Sequence, residues 1–284
     1  MADLNFRPEF PEIMGVLNVT PDSFSDGGRW NNPEAGIEHA KQMVKDGATI
    51  IDIGGEATSP HAGDIVPAEE WDRVKPFIDA LVAWRQEPDT PSFLISLDTY
   101  HAETARKGIE AGVDIENDVT GGRGDPQMLA TIADCGVPYI LQHGRGVGRA
   151  MNAAAHYDDV THEVVEELKA SLDRALTAGI KEENICLDPG YGFSKIGLQD
   201  WQLAAQLREV FSLGYPVMVG VSRKRFLRSL APDEQDNTLL DVATAVMSSY
   251  FAHFPVWCIR VHNVAATRVA LDVVKRIRQN QRHD

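Results

Sequence analysis

Cysteine is scarce in this chain of 284 residues, where Cys135, Cys186 and Cys258 are few, odd in number and widely spaced. They form no C-x-x-C pair, which argues against a disulfide scaffold or a thiol-based redox motif. Reduced core thiols in a cytoplasmic protein are the expectation. Long apolar runs are lacking too, none approaching the roughly 18 residues of a membrane span. The first residues show no basic segment followed by an apolar core, so no signal peptide is expected. Positive charge is in short supply: 27 Lys and Arg stand against 42 Asp and Glu, a formal net charge of −15. Such a field repels phosphate over long range and disfavours nucleic-acid or acidic-membrane partners. It leaves room for a small anionic substrate, because a local Lys/Arg/His cluster outweighs the global field at short range.

Several catalytic strings are missing as well. No G-x-x-x-x-G-K-[ST] loop or G-x-S-x-G elbow occurs, which disfavours P-loop phosphotransfer and α/β-hydrolase chemistry. His162-Glu163 lacks the second histidine of a zinc helix. Gly144-Arg145-Gly146-Val147-Gly148-Arg149 nearly spells a dinucleotide fingerprint, but Arg149 replaces its last glycine. Gly122-Arg123-Gly124-Asp125 reads as a strand-to-helix loop with a cap.

What is present is an alternation. A hydrophobic fraction of 43% and a charged fraction of 24% give a soluble globular chain with an ample core. The apolar run Ile13 to Leu17 stops at Asn18, and Pro21, Asp22, Ser23 and Asp26-Gly27-Gly28 make a turn-rich loop that no strand can continue. Pro33 to Asp46 reads as a helix with Ile37, Ala40 and Val44 at helical spacing, and strand 49–53 follows. The same reading gives helices over 69–84, 101–111, 125–135, 157–178, 201–210, 239–251 and 264–278. Strands are expected over 93–97, 113–116, 137–141, 184–187, 217–221 and 257–261. Asp125 is expected to cap the fourth helix. Eight strand–helix pairs without a linker-like break predict one domain, residues 1–284, folded as a (β/α)₈ TIM barrel. The runner-up is a doubly wound open sheet.

The strand ends favour the barrel. They carry Asn18, Asp52, Asp98, Asn117, His143, Asp188, Ser222 and the Arg260/His262 pair. A barrel gathers these on one face, whereas an open sheet would string them along an edge. Asp98 and Asp188 with Asn117 suit a flat heterocycle that has a donor edge. Lys224, Arg260 and His262 make a cationic side suited to a diphosphate, with Arg260 and His262 two apart and so facing the same way. Asn18 could reach Mg²⁺ through its amide oxygen while diphosphate and water fill the other positions.

Seven strings then occur in order: M-G-V-L-N-V-T-P-D-S-F-S-D-G-G at 14–28, D-I-G-G-E at 52–56, S-L-D-T at 96–99, E-N-D-V at 116–119, L-D-P-G-Y-G-F at 187–193, V-S-R-K at 221–224 and I-R-V-H at 259–262. Together they cover nearly the whole chain and resemble the dihydropteroate synthase family. That family condenses 4-aminobenzoate with a dihydropterin carrying a CH₂-diphosphate, giving dihydropteroate and diphosphate in folate biosynthesis. The resemblance implies that Asp98, Asn117, Asp188, Lys224 and Arg260 hold the pterin. It implies that Asn18, Thr58, Arg260 and His262 meet the diphosphate, with Asn18 helping to place Mg²⁺. Phe24, Pro60 and Ser222 would shape the aminobenzoate pocket, and Asp98, Asp188, Lys224, Arg260 and His262 would carry catalysis. A cytoplasmic homodimer is implied, with no membrane or nucleic-acid partner. Two positions depart from the family pattern: Ser59 stands where an arginine is usual, and Leu141-Gln142-His143 replaces L-M-H. Arg145 or Arg149 is the expected substitute for that arginine. The alternative reading is a paralogue that binds pterin without turnover and acts as a ligand-binding or partner protein. A corrinoid methyltransferase on the same barrel should lack the S-R-K cluster and the long first loop.

Overall fold

The computed structural model describes residue 4 and residues 6–20, 33–56, 65–146, 153–231 and 237–281. Eight strands lie in one sheet: β1 (Glu12–Asn18), β2 (Ile50–Gly54), β3 (Leu94–Asp98), β4 (Ile115–Asp118), β5 (Tyr139–Gln142), β6 (Ile185–Asp188), β7 (Met218–Val219) and β8 (Cys258–Val261). Their order is β6-β5-β4-β3-β2-β1-β8-β7, and the paired neighbours run parallel. A parallel bridge between Leu187 and Val217 joins the two ends, where the Leu187 N–H donates to the Pro216 carbonyl at 2.8 Å. The sheet therefore closes into a (β/α)₈ barrel rather than ending in two open edges.

Helices α1 (Pro33–Lys45), α2 (Pro67–Trp84), α3 (Ala102–Ala111), α4 (Met128–Cys135), α5 (Val160–Thr177), α6 (Gln199–Ala205), α7 (Arg208–Phe211), α8 (Arg225–Arg228), α9 (Asn237–Phe251) and α10 (Val264–Gln279) fill the connections. Each longer helix turns an apolar stripe to the barrel, such as Val74, Phe77, Ile78 and Leu81 in α2 or Val164, Leu168 and Leu172 in α5. Asp159 caps α5 by accepting from the N–H groups of Thr161 and His162, both at 3.1 Å. Asp125 behaves otherwise than expected. Helix α4 begins later, at Met128, and Asp125 accepts from Gln127 N at 2.8 Å and from Ala102 N at 2.9 Å, so it ties a turn to the start of α3. The single helix expected over 201–210 is divided at Gln206 into α6 and α7.

The core has two layers. The outer one lies between strands and helices. The inner one plugs the barrel from below with Met14, Ile50, Ile115, Ile140, Cys186, Met218, Trp257 and Cys258. Phe6 meets Trp257 edge-on beneath them, ring centroids 4.8 Å apart. Above this apolar floor the inward positions become polar, so the opposite end, where the strands finish, is the mouth.

Candidate active site

The register sets Asn18, Gly54, Asp98 and Asn117 side by side at the ends of β1 to β4. Two residues deeper, Asp52 belongs to a strand buried along its whole length. A carboxylate there must be paired, and it is. Arg260 donates from Nε to Asp52 Oδ2 at 2.6 Å and from Nη2 to Asp98 Oδ2 at 2.6 Å. Asn117 Nδ2 donates to the same Asp52 oxygen at 3.0 Å. Asp52 Oδ1 and Asn117 Oδ1 are buried without a hydrogen-bond partner. Two acceptors at the bottom of a polar mouth therefore await donors.

Glycines keep this cluster tight. A Cβ placed on Gly54 would lie 3.4 Å from Asn18 Oδ1 and 3.7 Å from Asp98 Oδ2. One on Gly220 would lie 3.7 Å from Arg260 Cβ and 4.0 Å from Asp188 Oδ2. Asp188 thus stands beside Arg260, and its Oδ1 accepts from Gly190 N at 2.8 Å. Lys224 completes the wall, its Nζ 4.0 Å from the centroid of the Phe193 ring. Acids and cations share one opening, as the strand ends promise.

Burial dominates the electrostatics. It raises the Asp98 carboxyl above its usual range, with Asp52 adding to the shift and Arg260 opposing it. It raises Asp188 to about 6, against the Gly190 N–H and Lys224. Lys224 is lowered to about 8 by burial and by Arg260, with Asp188 opposing. His262 corrects the expected cationic side. Burial pushes its pKa well below the usual value, and Arg223, Arg260 and Lys224 push the same way, so the imidazole is neutral. Ser222 Oγ accepts from His262 N at 3.1 Å and faces His262 Nδ1 at 2.9 Å. With the hydroxyl donating to Nδ1, Nε2 keeps the proton and His262 offers the mouth a neutral donor.

Neighbours in the S-R-K string divide their work. Arg223 turns outward at φ 56° and grips Asp241 through Nε at 2.8 Å and Nη2 at 3.0 Å, leaving Lys224 to face the mouth. Arg145 is engaged elsewhere than expected. It donates to Glu163 at 2.7 Å and to both oxygens of Glu167, and stacks 3.8 Å from the Tyr157 ring centroid. Phe24, Thr58, Ser59, Pro60 and Arg149 lie outside the described residues. Asp52, counted among the strand-end groups in the sequence but given no part in binding or catalysis, proves to be the buried anchor of Arg260. Among the described residues no three His, Cys, Asp or Glu side chains group as a metal cluster. Asn18 contributes one hard amide oxygen at the rim, a donor set that fits Mg²⁺ only with oxygens supplied by a ligand and water.

Comparison with known proteins places this barrel in a family. The family model described as "Pterin binding enzyme" matches residues 14–262. A dihydropteroate synthase of Mycobacterium leprae is 40% identical over 273 residues, covering 93% of this chain and 92% of its own. One from Streptococcus pyogenes serotype M3 is 41% identical over 265 residues, covering 93% and 95%. The Yersinia pestis dihydropteroate synthase, solved with a sulfonamide drug complex, superposes at a TM-score of 0.88 with 35% identity, covering 97% of this chain and 96% of its own. The Xanthomonas albilineans dihydropteroate synthase in complex with 7,8-dihydropteroate superposes at 0.82 with 32% identity, covering 98% and 96%. Family model, relatives and barrel coincide, and the chain belongs to the dihydropteroate synthase family of pterin-binding enzymes.

Proposed function

We infer that the chain carries out the reaction of its family. It is a transferase that joins 4-aminobenzoate to (7,8-dihydropterin-6-yl)methyl diphosphate, giving 7,8-dihydropteroate and diphosphate in folate biosynthesis. The observation that carries the reading is the pairing of opposite charges at one mouth, with Arg260 bridging Asp52 and Asp98 and with Asp188 beside Arg260.

Asp98, Asn117 and Asp188 accept from the ring N–H and amino groups of the pterin, while Lys224 and Arg260 close over it. Arg260, the neutral His262 donor, Asn18 and Thr58 take the diphosphate. As the methylene C–O bond breaks, positive charge grows on the pterin methylene and negative charge on the leaving oxygen. The two carboxylates stabilise the first and Arg260 with His262 the second, each where charge develops. The aminobenzoate nitrogen then attacks the methylene and loses a proton to solvent, so no strong base is needed. Phe24, Pro60 and Ser222 bound the aminobenzoate. Asn18 would hold Mg²⁺ through its amide oxygen, and the ion would neutralise charge on the diphosphate.

A second copy of the chain is the partner this reading adds. Val242, Val246 and Tyr250 on α9 and Val269, Val273 and Ile277 on α10 make parallel stripes at four-residue spacing, each 40% to 65% exposed. The two helices touch through Ser249 Oγ and the Ala270 carbonyl at 3.5 Å. An apolar face of this kind, free of charge along its ridge, suits an isologous homodimer. A cytoplasmic place accords with three cysteines in the thiol form. No helix among the described residues is long and apolar enough to cross a membrane.

The test is direct. Purified protein with both substrates and Mg²⁺ should release diphosphate and dihydropteroate in equal amounts. Tight pterin binding with no diphosphate released would favour the non-catalytic paralogue instead.

A further inference from the structure

Behind the mouth stands a side chain that meets none of the groups assigned to substrate. Lys195 follows β6 and is 1% exposed. Its ammonium gives all three donors to the protein, to the Gly190 carbonyl at 2.9 Å, the Phe193 carbonyl at 3.1 Å and His143 Nδ1 at 3.1 Å. None of these is a carboxylate. Burial lowers its pKa to about 8, so the fold carries a buried cation at a cost.

The loop that the ammonium grips is wound unusually. Gly190, Gly192 and Ser194 have φ values of 70°, 75° and 50°, three left-handed residues within five. A Cβ on Gly190 would lie 1.9 Å from the His143 carbonyl oxygen. This winding turns the two carbonyls toward Lys195 and presents two other groups to the mouth. Gly190 N holds Asp188 Oδ1 at 2.8 Å, and the Phe193 ring lies 4.0 Å from Lys224 Nζ. Lys195 is therefore one residue behind each of the two contacts that place Asp188 and Lys224. On its far side His143 Nε2 meets Glu167 Oε2 at 3.0 Å. Since Lys195 donates to Nδ1, Nε2 carries the hydrogen and donates to Glu167. Glu167 on α5 is half-exposed and anchors the chain of contacts to Arg145.

We propose that Lys195 is a positioning residue for the pterin, setting Asp188 and Lys224 through the Gly190 and Phe193 carbonyls, with His143 and Glu167 as its brace. The inference rests on the pterin assignment of Asp188 and Lys224 made above.

Lys195→Met keeps the stem and removes the donors. The expected result is a KM for the pterin diphosphate roughly tenfold higher or more, the size of losing one or two buried hydrogen bonds. The KM for aminobenzoate should change less than twofold, and melting should stay cooperative. Glu167→Gln, at the half-exposed end of the brace, should raise the pterin KM by about threefold with the same selectivity. A role in stability alone predicts a lower Tm and less active protein with both KM values unchanged, and that result overturns the proposal. Should Lys195→Met fail to fold, the Glu167→Gln result decides: an unchanged pterin KM overturns the proposal. Asp188→Asn is measured alongside. If it too leaves the pterin KM unchanged, the pterin assignment has failed. If it raises that KM while Lys195→Met and Glu167→Gln do not, only the role of Lys195 has failed.

Discussion

Replacing Asp98 by asparagine separates charge from shape at the centre of the mouth. The amide fills the same volume but cannot give Arg260 Nη2 the ionic partner it has at 2.6 Å. Arg260 keeps its second anchor, since Asp52 Oδ2 lies 2.6 Å from Nε. Burial and the neighbouring Asp52 already raise the Asp98 pKa, so the fold disfavours its charge, and an uncharged isostere relieves that repulsion. The melting temperature should therefore move by no more than about 2 °C, equivalent to roughly 1 kcal/mol in a chain of this size. Catalysis should respond quite differently. A carboxylate facing a developing cation contributes about 3–4 kcal/mol to the transition state, so turnover should fall roughly 10² to 10³-fold. The assay is steady-state diphosphate release at saturating concentrations of both substrates, with the melting curve recorded on the same preparation. Turnover within about threefold of the parent, at unchanged stability, would refute the electrostatic account.

Three further outcomes are expected. The pH profile of kcat/KM for the pterin substrate should be bell-shaped: activity is lost at low pH as Asp98 and Asp188, both raised by burial and Asp188 to about 6, take up protons, and again as Lys224, lowered to about 8, gives one up above it. A flat profile from pH 5 to 9 would contradict these assignments. Gly190→Ala would force a Cβ to within 1.9 Å of the His143 oxygen at φ 70°, a backbone clash and a left-handed alanine together. It should lower unfolding free energy by about 3 kcal/mol or more and weaken pterin binding, as read by denaturant melts and titration. If the proposed homodimer forms through the exposed stripes of α9 and α10, Val246→Glu with Val273→Glu places charge on both, and sedimentation should show the variant as a monomer and the parent at twice that mass.

The rim of the barrel was legible in the sequence because each strand is a short apolar run that stops at a polar residue. Asn18, Asp98, Asn117 and Asp188 all mark that change of solvent, and closure of the sheet brings them to one end. Asp52 escaped a role because it sits two residues before the end of β2, and its partner Arg260 is 208 positions away. Composition could not show that His262 is neutral, since that depends first on its burial and then on the cations the fold gathers around it. Likewise Arg145 sits in a Gly-rich loop that suggests anion binding, yet Glu163 and Glu167 of α5 reach it first. Lys195 had no marker at all, being neither at a strand end nor beside an acid in the sequence.

The apolar plug under the mouth has a consequence for traffic. With Trp257, Met14 and their neighbours sealing one end, the barrel is a blind well. Whatever settles on Asp52 and Asn117 went in first and must come out last, past anything lodged nearer the rim. A product spanning both depths leaves in one piece by the way its halves arrived, so departure, more than arrival, is the step that crowding at the rim would slow.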